Sequence, residues 1–234
     1  MRCMREDLSF CIDTFEGGGM MEKGEFSIYM AGVGGQGLVL LSNVIGSACA
    51  KAGIRALTGE QHGLSQRSGS INVHMRIGQN IRSPLIPIGG ADVLLSLEAL
   101  EALRHVEYLQ QGGVVLMNSR IQHPIAETAL HVKDKSAIYF SVDEVRNRLS
   151  QVTDKIAIID ALALGRDAGN PMTENIIMLG ALSAIEAFPV PEKSIRESIA
   201  ENVPKKAVDV NLKAFEQGKE HAYEHLCNVI KCRK

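Results

Sequence analysis

Tryptophan is absent from these 234 residues, and aromatic side chains make up only 4% of them. So few rings leave little on which nucleic-acid bases could stack, and a formal charge of -2 with a pI near 6.4 supplies no basic stripe. A nucleic-acid partner is therefore not expected. No C-x-x-C occurs among the five cysteines, Cys3, Cys11, Cys49, Cys227 and Cys232, so no local zinc or iron–sulfur ligand spacing is present. Long hydrophobic runs are missing too. The most extended one, Ile176 to Val190, is interrupted by Gly180, Ser183, Glu186 and Pro189, too short and too polar for a membrane span. Met1 to Met20 lacks the continuous apolar segment of a secretory signal, and the expected compartment is the cytoplasm.

Glycine is what the chain does have, concentrated where it carries meaning. In Ala31-Gly32-Val33-Gly34-Gly35-Gln36-Gly37 four glycines fall within six residues, between the apolar run Phe26 to Met30 and a helical pattern opening at Leu38. A strand that leaves such a turn as a helix aims free backbone N–H groups and the positive end of a helix dipole at one point. Gly32, Gly34 and Gly37 also satisfy G-x-G-x-x-G, which brings a self-sufficient Rossmann oxidoreductase binding NAD or FAD into consideration. That fingerprint needs an acidic residue closing the second strand. The candidate, Glu60, instead opens the polar stretch Gln61-His62-Gly63, so the fingerprint is incomplete.

Residues 1 to 24, with mixed charges and Gly17-Gly18-Gly19, read as a mobile extension or an upstream start, and residues 25 to 234 as one domain. Phe26 to Ala31 forms the first strand, Leu38 to Lys51 a helix stopped by Gly53, and Ile54 to Leu57 a second strand. Thr58 to Ser70 reads as a loop. Ser70 to Ile77 alternates strictly, predicting a strand with one buried and one polar face, and Gly78-Gln79-Asn80 could turn it into a partner near Ile81 to Ile86. Val93 to Leu97, Val114 to Met117 and Ile156 to Ile159 are nearly continuous apolar runs, the mark of central parallel strands covered on both faces. Glu98 to Gln110 is helical, Gly112-Gly113 ends that connection, and Ala137 to Val142 forms a strand before the helix Asp143 to Gln151. Three helices follow: Pro171 to about Phe188, apolar almost all round; Pro191 to Asn202; and a long one beyond Pro204 whose apolar stripe Gly218 and Lys219 interrupt, so that its last part is expected to bend or fray. The fold class is α/β, a three-layer α/β/α Rossmann-like domain with a mostly parallel sheet, an antiparallel hairpin and a helical C-terminal part.

In such a sheet ligands lodge beyond the carboxyl ends of the strands. Those ends carry Gly34, Gly35, Gln36 and Gly37, then Ser96 and Glu98, Asn118-Ser119-Arg120, and Asp160. For Ser96, Asn118 and Asp160 a helix-capping role competes equally with a functional one. Glu60 to Ser70 is the second unusual tract, polar and irregular, with His62, Gln66, Arg67, Ser68 and Gly69 as candidate substrate or interface residues. His62 suits hydrogen bonding better than proton relay. His74 and Arg76 fit either an interface or a solvated edge. Cys49, on the stripe of Leu38, Leu41 and Ile45, is a buried small hydrophobe, whereas the other cysteines near the ends read as incidental. His221 and His225 read as surface residues without a third metal ligand.

Phe26 to Gly37, followed by His62-Gly63-x-x-Gln66-Arg67-x-Gly69-Ser70, resembles the small subunit of the 2-oxoacid:ferredoxin oxidoreductases, the indolepyruvate type most of all. Ser83-Pro84-Leu85-Ile86-Pro87, Ala91-Asp92, Leu97 to Leu103, Gly112-Gly113 with Asn118, Asp160-Ala161, Gly169-Asn170-Pro171, Leu179 to Leu182, Val203-Pro204-Lys205 and Asn211-Leu212 agree, so the likeness runs from about Phe26 to Gly218. Two departures are the N-terminal extension and Ser68, where the family pattern has Gly. The resemblance implies a complex that decarboxylates a 2-oxoacid on thiamine diphosphate, passes electrons through [4Fe–4S] clusters to ferredoxin and gives the acyl group to coenzyme A. It implies that a large subunit holds the thiamine diphosphate and the clusters, while this chain binds no cofactor alone and completes or shields the site. The His62-Gly63 pair points to arylpyruvates. Within that picture Gly34 to Gly37 face a cofactor or the partner subunit, and Arg67 meets a carboxylate or a phosphate of coenzyme A.

Overall fold

A computed structural model of the chain describes residues 24–62, 69–122 and 140–233, with only the backbone of His62. The expected extension at residues 1–24 lies outside this range but for Gly24, as do Gln66, Arg67 and Ser68. The elements run β1 (Glu25–Val33), α1 (Leu38–Lys51), β2 (Ala56–His62), β3 (Ser70–Gly78), β4 (Ala91–Ser96), α2 (Ala99–Arg104), β5 (Leu109–Asn118), α3 (Val142–Leu149), β6 (Ile156–Ile159), α4 (Ala161–Ala168), α5 (Glu174–Ala184), α6 (Glu192–Asn202) and α7 (Val208–His225). The six strands form one sheet in the order β2-β3-β1-β4-β5-β6. β1, β4, β5 and β6 pair in parallel, and β3 pairs antiparallel with both β1 and β2.

Period-two alternation along β1 sorts the core into two layers. Ile28 and Met30 point to a face packed by α1, α5, α6 and α7, through residues such as Leu41, Ile177, Ile195 and Phe215. Tyr29 and Ala31 point to the other face, covered by Ala99 and Ala102 of α2, Val145 and Leu149 of α3, and Ile86. The expected α/β/α architecture is observed. Its central strands are as apolar as burial on two faces requires, with Leu94, Leu95, Val115 and Leu116 all fully buried.

Several local expectations are corrected. The stretch from Thr58 is no loop at first: β2 runs on to His62, its seven residues paired from Ala56↔Ile77 to His62↔Ile71. As the sheet's edge strand it leaves Thr58, Glu60 and Gln61 exposed, so polarity costs it little. The antiparallel hairpin is therefore β2–β3, and Ile81 to Ile86 is not a strand. Pro84 lacks an N–H for a ladder, and the stretch instead returns Ile86 N to donate to His74 Nδ1 at 3.0 Å. Glu98 to Gln110 holds the short α2 and a single 3-10 turn, Val106–Tyr108, because β5 begins at Leu109 and includes Gly112-Gly113. Phe140 and Ser141 are not strand either. Ser141 caps α3 in a reciprocal capping box with Glu144, and residues 137–139 lie outside the described range. The helix α4 had no counterpart among the expected elements. Cys227 and Cys232 are not incidental: they form a disulfide with Cα atoms 5.4 Å apart. It closes the turn that lets Cys232 bridge to Ile185 and Arg233 N donate to Ala184 O at 2.8 Å. Cys49 is buried, and burial pushes its thiol up to about 12.

The helix α5 is apolar all round because it lies between the sheet and α7 within the same chain, with Asn175 to Ala184 all buried. Gly218 does not break α7, which runs unbroken to His225. It is the crossing point: a Cβ on Gly218 would collide with the Ile177 carbonyl, and one on Gly180 with the Phe215 carbonyl and Lys219 N. Lys219 is spoken for by Glu192 at 3.0 Å and Glu216 at 3.2 Å. Alanine at either glycine is expected to cost about 3 kcal/mol, since backbone on the facing helix cannot yield as a side-chain tip would. Gly46, inside α1 with nothing within 4 Å of its Cβ position, provides the contrast. Gly46→Ala is expected to stabilise by up to about 1 kcal/mol through helix propensity. Urea unfolding of the three variants measures both signs.

Candidate functional site

The glycine turn forms where β1 ends. Gly34 N donates to Gly69 O at 3.0 Å, extending the β1–β3 ladder one step past the Val33↔Ser70 pair. Gln36 folds back over the turn, its Oε1 accepting from Val33 N at 2.8 Å, while its buried Nε2 has no hydrogen-bond partner among the described residues. Gly35 (φ +96°) faces open space. Gly37 (φ +80°) is required twice over, by its left-handed backbone and because a Cβ would stand 2.6 Å from Asn175 Nδ2, which donates to Gly37 O. The first turn of α1 has no acidic residue and no side-chain cap, so its positive end is left uncompensated.

Polar groups at the neighbouring strand ends turn inward to the fold. Asn118, 1% exposed, donates to Leu97 O at 3.2 Å and Glu174 Oε2 at 2.8 Å, and accepts from Ala161 N at 3.2 Å. Glu174 also pairs with Arg120. Asp160 caps α4 through Ala163 N at 2.9 Å, and Ser96 Oγ donates to Glu98 O at 2.5 Å. Glu98 accepts from Glu101 N and from Gln122 N, and burial pushes its carboxyl above the usual range despite those bonds. Asp160 and Asn118 thus serve the start of α4, whereas Ser96 satisfies the backbone of Glu98, the residue that caps α2.

Beneath the turn, on the second face, lies a buried polar and aromatic chain that the sequence pattern did not single out. Tyr29 stacks on Tyr108 with ring centres 4.2 Å apart, and His74 stands edge-on to Tyr29 at 4.7 Å. The Tyr29 hydroxyl lies 3.2 Å from His105 Nδ1, and His105 Nε2 lies 3.5 Å from Glu101 Oε2. Ser70 Oγ donates to that same Oε2 at 2.5 Å. One proton arrangement serves all of them: Tyr29 donates to Nδ1, and the Nε2–H of His105 faces the carboxylate. Burial raises the Tyr29 phenol far above its usual range and keeps it a donor. Burial also pushes the Glu101 carboxyl up, but hydrogen bonding from His105 and Ser70 and the charge of Arg104 outweigh it and hold the group below the usual range. His74 accepts from Ile86 N through Nδ1, so its buried Nε2 carries the proton and has no partner. His74 and Arg76 therefore do not form a solvated edge: His74 is 2% exposed and Arg76 pairs with Glu25 at 2.6 Å.

Of the candidate tract, the structure brings Gly69 to Gly34 and places His62 at the end of β2, opposite Ile71. Gln66, Arg67 and Ser68 lie outside the described residues. Glu101, His105 and Tyr108 were missed as partners of Ser70 and Tyr29. The available signal was an acid on the buried side of a short helix, and Glu101 is 4% exposed. His221 and His225 do lie together, with ring centres 4.7 Å apart, and among the described residues no group of three or more His, Cys, Asp or Glu could hold a metal ion.

The topology also bears on the dinucleotide alternative. In a dinucleotide-binding unit the second strand lies beside the first. Here β3 separates β2 from β1, and Glu60, inside β2 and not in a loop, accepts from Ser42 Oγ at 3.1 Å. Residues 27–221 match the pattern of the family described as pyruvate ferredoxin/flavodoxin oxidoreductase. The chain belongs to this family. Among pyruvate ferredoxin/flavodoxin oxidoreductase relatives, it is 40% identical over 203 residues to indolepyruvate oxidoreductase subunit IorB of Thermococcus kodakarensis, covering 86% of this chain and 98% of that one. The subunit of the same name from Pyrococcus horikoshii matches with the same identity and coverage. In fold, the chain resembles the gamma subunit of a keto/oxoacid ferredoxin oxidoreductase from Geobacter sulfurreducens, with a TM-score of 0.63 at 21% identity over 86% of this chain and 97% of that one. No support remains for the NAD or FAD reading. Among the described residues no helix is long and apolar enough to cross a membrane.

Burial, and then repulsion from His105, lowers the pKa of His74 below 6.5, so the unfolded chain takes up a proton near that pH that the folded chain refuses. Stability contributed by neutral His74 is present above pH 6.5 and drains away as the pH falls through that value. The thermal midpoint of the native chain is expected to drop more between pH 7 and pH 5 than that of His74→Gln. Calorimetric melts of the two across that interval measure the difference.

Proposed function

We propose that this chain is the small, cofactor-free subunit of a thiamine-diphosphate-dependent 2-oxoacid:ferredoxin oxidoreductase, acting on an arylpyruvate such as indolepyruvate. The observation that carries the proposal is the 40% identity that spans 98% of the indolepyruvate oxidoreductase subunit of Thermococcus kodakarensis. Residues 25–234 act as one domain, with residues 1–24 an appendage. A large subunit holds the thiamine diphosphate and [4Fe–4S] clusters, ferredoxin takes the electrons, and coenzyme A takes the acyl group. The complex works in the cytoplasm.

An iron–sulfur cluster needs several thiolates at one point. Cys49 is buried by itself, and Cys227 and Cys232 are joined to each other, so the described residues do not fit a cluster and it is assigned to the partner. Thiamine diphosphate, bound by the large subunit, supplies the electron sink for decarboxylation. This chain's part is recognition and enclosure. In the turn Gly34, Gly35, Gln36 and Gly37, the N–H groups of Gly34 and Gln36 are held by Gly69 O and Val33 O, and it is the N–H groups of Gly35 and Gly37, with the start of α1 and Gln36 Nε2, that are offered to an anionic group, either a phosphate of coenzyme A or a carboxylate on the large subunit. The same reading gives His62, Gln66, Arg67, Ser68 and Gly69 to substrate or subunit recognition, with Arg67 as the cation.

Copurification with the large subunit tests the proposal. The isolated chain is expected to turn over no 2-oxoacid, and the partner to bring thiamine diphosphate and iron. With coenzyme A and ferredoxin, the complex is expected to favour indolepyruvate over pyruvate by about tenfold or more in kcat/KM, the scale that a pocket for a large apolar group gives. Tight NAD or FAD binding to the isolated chain, lost on bulky replacement of Gly34, would overturn it, as would a preference for pyruvate.

A further inference from the structure

We propose that Glu101 is a positioning residue for the glycine turn, holding Gly34 in place through Ser70 and Gly69. The inference rests on the reading of Gly34 to Gly37 as a recognition surface. Two hydrogen bonds and the peptide bond between them make the link. Glu101 Oε2 accepts from Ser70 Oγ at 2.5 Å, Ser70 is bonded to Gly69, and Gly69 O accepts from Gly34 N at 3.0 Å. Gly34 is the first residue past β1, and among the described residues its backbone hydrogen bond is the one to Gly69.

A buried carboxylate is a costly way to fill space, because desolvation must be offset by partners on every side. Here three groups meet the carboxylate, and a fourth holds one of them. Ser70 opens β3; Arg104 Nε, at the end of α2, lies 3.4 Å from Oε1; His105 follows α2; and Tyr29, in β1, orients His105 from its far side. The backbone N–H of Glu101 is held by Glu98 Oε2 at 2.8 Å, so the helix that carries the carboxylate is itself fixed at its start. An apolar residue at this position would carry no such desolvation cost, but it would leave Ser70 without an acceptor. What the carboxylate adds is a fixed end to β3, on the side where the polar tract returns to the sheet. The aromatic stack of Tyr29 and Tyr108 gives that fixture a rigid base.

Amide hydrogen exchange in the full chain reads the link directly. Glu101→Ala is expected to speed exchange at the Gly34 amide about tenfold, the scale of one lost charge-assisted hydrogen bond, while leaving the amides of Val115 and Leu116 in β5 at their native rates. Glu101→Gln keeps an acceptor oxygen for Ser70 and is expected to restore most of the protection. Ser70→Ala is expected to reproduce the Glu101→Ala effect, and the double variant to be no worse than either single change, because all three break one link. In the assembled complex the same variants are expected to raise KM by more than they lower kcat. Native exchange at Gly34 in Glu101→Ala, or additive losses in the double variant, would overturn the proposal. Should Glu101→Ala fail to fold, Ser70→Ala, which removes one hydroxyl, decides it by the same measurement. A complex that oxidises no 2-oxoacid overturns the proposed function and leaves the exchange result at Gly34 to stand or fall by itself.

Discussion

Insertion of β3 between β1 and β2 is the constraint on which the rest of the structure depends. Because β3 runs antiparallel to β1 in the register Val33↔Ser70, the chain leaving the polar tract re-enters the sheet directly opposite the point where β1 gives way to the glycine turn. Residues 34 and 69, far apart in sequence, become hydrogen-bonded neighbours. The same insertion puts His74 beneath Tyr29, so an alternating strand that would otherwise show its polar residues to water buries one of them on the second face. It also pushes β2 to the edge, where its polar sequence is harmless.

Much of this was legible in the sequence, and the reasons differ from element to element. The helix α1 runs over the expected Leu38 to Lys51, and β6 over Ile156 to Ile159, because periodicity and apolar runs report burial directly. The glycine turn was legible because left-handed backbone at Gly35 and Gly37 leaves few alternatives to glycine. β2 was not legible. An edge strand paired on one side can be as polar as a loop, and Thr58, Glu60 and Gln61 carry no signal of the backbone ladder that holds them. The hairpin was assigned to the wrong neighbour for the same reason. Family likeness succeeded where periodicity could not, since it rests on many short matches spread along the chain.

The candidate site shows the same division. Gly34 to Gly37 could be located from local spacing, whereas Glu101 could not. Its importance comes from contacts with Ser70 and His105, and from the bond of Tyr29 to His105 behind them, and no window of sequence contains all of these residues. Polar residues at strand ends misled in the opposite direction. Asn118 and Asp160 have the chemistry of a site and the geometry of caps.

The position of β2 has a kinetic meaning. Among the described residues its one strand partner is β3, which lies nearby in the chain, while β1 meets β4 only after some sixty residues of intervening sequence. The β2–β3 hairpin can therefore assemble as a local unit before the parallel strands find one another, and dock onto β1 as a preformed edge. The parallel half, with its long loop closures, is the slower part to assemble on contact order, and the glycine turn reaches its final shape when that docking brings residue 69 to residue 34.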